Sequence, residues 1–97
     1  MIRGTTPVII LNLPMVIDFE VLYITFKQDS NIVLEKSLAD VKVEGAKVVI
    51  PFSQKETLSF DGNTSIKVQL RGRVGETAYA SKIVRVSMSD ILKDGEI

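Results

Sequence analysis

Acidic side chains two residues apart occur twice in this chain, as Asp18 with Glu20 and as Asp94 with Glu96. Paired carboxylates can divide acid and base work between them when burial sets their pKa values apart. Neither pair is placed for it: Asp18 and Glu20 fall at the start of an expected strand, Asp94 and Glu96 in the last segment, and water reaches both. Histidine and cysteine are absent. That removes Ser-His-Asp and Cys-His nucleophile systems, the HExxH zinc helix, thiolate metal sites and disulfides. Asp61-Gly62-Asn63 carries oxygen ligands, but nothing nearby adds the further oxygens and the bidentate acid of a calcium loop, so it reads as a turn. Gly72-Arg73-Val74-Gly75 sets glycines beside positive charge without the register of a phosphate loop, and no helix follows it. No catalytic, metal or cofactor-binding residue is expected.

Two groups remain that could bind a partner. Lys67, Arg71 and Arg73 share the parity of one strand face, and Lys82 or Arg85 on the next strand is expected beside them. This basic face suits an anion such as nucleic acid or glycan, or is simply the solvated outside of a sheet. The balance of the chain favours the second: twelve basic and twelve acidic residues cancel, and stacking aromatics are few. Tyr23 and Tyr79 read as core-edge residues with a wet hydroxyl. The other group is Ile91, Leu92 and Ile97, apolar residues beyond the last strand, where Ser89 can cap a short turn. They either fold back over the open end of the domain, the favoured reading, or dock on a neighbouring subunit.

The elements that must position these residues follow from period-two alternation. From Ile66 to Val74 apolar and polar residues alternate, the pattern of a half-buried strand. Similar patterns predict strands over Thr6–Leu13, Phe19–Gln28, Ile32–Leu38, Asp40–Val43, Ala46–Phe52, Thr64–Val74 and Ala78–Met88. The first, with Val8, Ile9 and Ile10, reads as buried on both faces. Gln28 to Asn31 predicts a hairpin that returns Ile32, Leu34 and Leu38 inward, and a bulge is expected near Ser81. Ser53-Gln54-Lys55-Glu56 matches a capping box and predicts one helical turn. Seven strands with one helical turn imply an all-β, two-layer antiparallel β-sandwich of immunoglobulin-like connectivity, with a small closed barrel as the alternative. The length of 97 residues suits a single domain, with Ser89–Ile97 as a terminal extension. The opening segment is too short and interrupted for a signal sequence, and no apolar run spans a bilayer, so a soluble, cytoplasmic product is expected.

Four segments together resemble a family of small, uncharacterised phage and prophage proteins of low-GC Gram-positive bacteria. They are Met1–Pro7, Ser53–Phe60, Ile66–Arg71 and Ala80–Ile97, and the likeness spans nearly the whole chain. Genes of this family tend to lie among virion-structure genes. The resemblance therefore implies a capsid or tail-associated structural part, not an enzyme, whose partners are copies of itself or other virion proteins. It supplies no site residues. A small binding module for an anionic partner, acting through the basic face, is the alternative expectation.

Overall fold

A computed structural model describes residues 1–97. Eight strands form two antiparallel sheets. The smaller sheet holds β1 (Val8–Asn12), β5 (Lys47–Pro51) and β4 (Lys42–Glu44), in the order β1-β5-β4. The larger runs β3 (Asn31–Ser37), β2 (Val21–Gln28), β6 (Ile66–Val74) and β7 (Thr77–Ala80), with β8 (Val84–Val86) continuing beside β6. A 3-10 turn covers Leu38–Asp40, and the short helix α1 (Gln54–Leu58) joins β5 to β6. The expected sandwich is therefore the observed architecture, and its sheet order is the immunoglobulin-type partition. The counterpart of the first strand of that plan is missing from the smaller sheet.

The core lies between the sheets because alternate residues of each central strand face inward. Leu22, Ile24 and Phe26 of β2 oppose Gly72, Leu70 and Val68 of β6, and Val48 and Ile50 of β5 close over them. The Phe26 ring meets Phe52 and Phe60 edge-on, at centroid distances of 5.3 and 6.3 Å. Such pairing adds to the area they bury. The helical turn forms as its capping box requires: the Glu56 amide donates to Ser53 Oγ at 3.1 Å, and the Ser53 amide donates to Glu56 Oε1 at 2.8 Å.

Several expectations give way to local geometry. The last strand divides at Ser81, where a side chain enters the ladder: the Leu70 amide donates to Ser81 Oγ at 3.0 Å, while the Ser81 amide still donates to the Leu70 carbonyl at 2.9 Å. The Asp40–Val43 strand is instead the 3-10 turn followed by β4, since the Asp40 carboxylate accepts from the Ser37 amide and hydroxyl and folds the chain back. In β3 a register shift skips Val33, so that Leu34 pairs with Phe26 but Ile32 pairs with Lys27. Ile32 is thereby turned outward and is exposed, contrary to the inward position expected of it.

β1 is also not buried on both faces. Ile9 and Leu11 pack on the core, whereas Val8 and Ile10 are 56% and 50% exposed, because no third layer covers the smaller sheet.

Candidate interaction surfaces

The basic face forms as a cross-strand array. Lys67 pairs with Lys27 on one side and Arg85 on the other, which sets three cations abreast across β2, β6 and β8. None of the three has a carboxylate within 4.0 Å. Like charges directly opposite destabilise a sheet. Arg71 stands four residues along β6 from Lys67, opposite Tyr23, and Arg73 faces Val21. The face is not uniformly positive. Arg73 lies 3.9 Å from Glu20, whose carboxylate also accepts from the Gly75 amide at 3.0 Å, and Glu35 accepts from Thr25. Lys82 is not part of this array; it sits at the break between β7 and β8.

The last segment is fastened at three points, the first being Ser89, whose amide donates to the Met1 carbonyl at 2.8 Å and whose carbonyl accepts from the Arg3 amide at 3.0 Å. Arg3 donates to the carbonyls of Phe60 and Leu58 at 2.8 and 3.1 Å, and its guanidinium holds Asp90 at 2.8 Å and Asp94 at 3.5 Å. The Asp90 carboxyl is held below the ordinary aspartate range, first by the Ile91 amide and then by Arg3. Further on, Gln54 exchanges two hydrogen bonds with the backbone of Ile97, at 2.9 and 3.1 Å. The backbone thus runs back along α1. Ile91 is half-buried near Gly4 and Leu58, while the side chains of Leu92 and Ile97 stand in water.

A third surface was not legible as a site in the sequence. β1 is an edge strand whose one ladder is with β5, in the register Val8 to Pro51 and Ile10 to Val49. The Phe52 amide donates to Pro7 and the Leu13 amide to Ala46, so the odd-numbered residues of β1 aim their backbone groups at β5. Antiparallel alternation then points the amides and carbonyls of Val8, Ile10 and Asn12 outward from the sheet edge. Beside this edge the sandwich gapes. A cleft of about 570 Å³ lies between residues 11–14 on the β1 side and residues 79–82 with Val84 on the other, and Phe19 and Leu70 lie between them. Tyr79 meets Phe19 edge-on at 6.3 Å. The lining is mostly apolar, and its one charged residue is Lys82. The one trace of this surface in the sequence is the uncharged run Val8 to Leu13, whose apolar residues occupy both parities.

The carboxylates are placed apart from any cleft: Asp18, Glu20, Asp94 and Glu96 are all exposed. The Asp61 to Thr64 turn is held by the buried Gln28 side chain, which accepts from the Asp61 amide at 2.7 Å and donates to the Asp61 carbonyl at 2.8 Å. No helix is long and apolar enough to cross a membrane.

The partition of strands defines an immunoglobulin-like β-sandwich. Comparison with family models finds no match, and no curated protein matches the chain. Among solved structures, the chain is similar to the V domain of amphioxus IgVJ-C2, at 8% sequence identity and a TM-score of 0.44, over 94% of this chain and 97% of that one.

Proposed function

We propose that this protein is a non-catalytic interaction module of a phage or prophage particle, a tail- or capsid-associated part that binds other proteins through its sheet edges and last segment. The observation that carries the reading is the β1 edge, where outward backbone groups and the exposed side chains of Val8 and Ile10 stand side by side without a charged residue in the strand. Proteins that must avoid edge pairing guard such strands with lysine, proline or a bulge. β1 has none of these. The virion setting comes from the resemblance of Met1–Pro7, Ser53–Phe60, Ile66–Arg71 and Ala80–Ile97 to phage proteins. Mass spectrometry of purified particles from the encoding phage tests it: the chain is expected in fixed ratio to the major virion proteins, and Ile10→Lys is expected to lower that ratio without unfolding the domain. A chain abundant in the infected cell and missing from particles would refute the reading.

The row Lys27, Lys67 and Arg85 favours a second reading, a module for an anionic partner such as nucleic acid or glycan. Binding of labelled single-stranded DNA or heparin that weakens steeply with salt would support it, and no binding at low salt would remove it.

A further inference from the structure

We infer that the cleft beside β1 is the seat of one extended strand from another polypeptide, with apolar residues at alternate positions and a carboxylate at the end nearest Lys82. The inference rests on the interaction-module reading above and names the chemistry of the partner. Two independent features converge on a strand. The outward amides and carbonyls of Val8, Ile10 and Asn12 can be satisfied together only by backbone in extended conformation, because their spacing along β1 is that of alternate strand residues. A strand hydrogen-bonded there continues the smaller sheet and reaches the cleft at the Asn12 end of β1, where its inward side chains point down between residues 11–14 and Val84 toward Phe19 and Leu70. The intervening side chains join the outer face beside Val8 and Ile10, where polar groups are tolerated.

A second copy of β1 is disfavoured as the occupant, because Val8–Asn12 carries no carboxylate to set against Lys82. Charge completes the description. Lys82 is the single ion on the lining and has no carboxylate within 4.0 Å, so an acidic residue of the incoming strand is the group it is placed to meet. The recognition is strand addition to an open edge, in which backbone bonds give affinity and alternate side chains give selectivity.

The test uses the full chain and two synthetic peptides of one composition, each ending in Glu. In one, Leu or Val alternates with Thr; in the other the apolar residues form a block. Isotope-edited NMR titration is expected to shift the amides of Val8, Ile10 and Asn12 together with Tyr79 and Val84 for the alternating peptide alone. Ile10→Pro, which removes an outward amide and is tolerated at a strand edge, is expected to weaken binding by about tenfold. Should that variant unfold, N-methylation of the peptide's bonding edge makes the same measurement on the native protein. Lys82→Glu is expected to turn the preference toward a Lys-ended peptide by about two- to fivefold. Equal binding of the block peptide, no binding of either, or affinity untouched by Ile10→Pro and by N-methylation would overturn the inference. Shifts at β1 with none at Tyr79 or Val84 would overturn the cleft's part and leave the edge as an interaction surface. The particle assay above judges that broader reading separately.

Discussion

Replacing Lys36 by methionine keeps the aliphatic stem of a buried side chain and deletes its charge. Lys36 faces inward on β3 opposite Ile24, with 6% of its surface exposed, and its ammonium donates to the Pro51 carbonyl at 2.7 Å and to Glu56 Oε1 at 2.9 Å. It also stands 5.1 Å from the centre of the Phe52 ring. One side chain thus ties the larger sheet to β5 and α1 of the other layer. Breaking a fully buried ion pair costs about 3–5 kcal/mol. Here Glu56 keeps 29% of its side-chain surface in water and retains the Ser53 amide, so part of that cost is relieved. A loss of about 2 kcal/mol follows, close to the cost of leaving one or two polar groups under-satisfied. In a domain of this size it lowers the melting temperature by about 10 °C.

The pH dependence supplies the sharper test. Burial pushes the Glu56 carboxyl up, but the Ser53 amide and the Lys36 ammonium outweigh it and hold the group below the ordinary value of 4.5. A carboxyl depressed in the folded state contributes fully above its unfolded pKa and loses that contribution as pH falls through the folded one. Urea melts of the native chain and Lys36→Met should therefore differ most near neutral pH and draw together as the pH falls below 4.5. A difference under about 0.5 kcal/mol at neutral pH, the range of ordinary surface substitutions, would refute the reasoning. So would a difference that does not shrink at all on acidification below pH 4.5.

Three other substitutions probe separate features. Gly72→Ala places a Cβ against the Phe19 ring and 2.9 Å from the Val21 carbonyl, and should cost about 1–3 kcal/mol in a denaturant melt. Lys67→Thr removes the middle cation of the Lys27, Lys67, Arg85 row and should stabilise the domain by about 0.2–1 kcal/mol, a gain that shrinks in high salt. Arg3→Ala deletes the guanidinium that joins Asp90 to the carbonyls of Leu58 and Phe60, and should speed hydrogen exchange of the Ser89 and Ile97 amides while β2 and β6 stay protected.

Strands β2 and β6 were plain in the residues because the inward parity of each is apolar save for Gln28 at the end of β2 and Gly72 in β6, and each lies at the centre of a sheet, where packing enforces the alternation. The capping box at Ser53 was legible for a similar reason: both its hydrogen bonds are made within four residues. What failed to show depends on distant chain. A run such as Val8, Ile9, Ile10 does not say whether a second layer will cover its other face. The outward turn of Ile32 needs the bulge opposite Lys27, and period-two reasoning assumes an unbroken register. Lys36 occupies an inward position that alternation would have assigned to an apolar residue, and only the meeting of Pro51 and Glu56 around its ammonium makes that position tenable. The β1 edge and its cleft stayed hidden because a vacancy in a sheet belongs to topology, and the uncharged run Val8 to Leu13 reads equally well as a strand covered on both faces. The basic strand face was readable in outline: the register of β8 decided for Arg85 over Lys82, and Lys27 was not anticipated because it reaches the face from β2.

The pairing of β2 with β6 has a kinetic side. Their partners are roughly forty to fifty residues apart in the chain, and the ladder cannot begin to form until that whole loop has closed. Domains governed by such distant pairings mature over milliseconds to seconds, not microseconds. Throughout that interval the oily ribbon from Val8 to Leu13 is free to find mates on other nascent chains, so recovery on refolding should decline as the protein is made more concentrated.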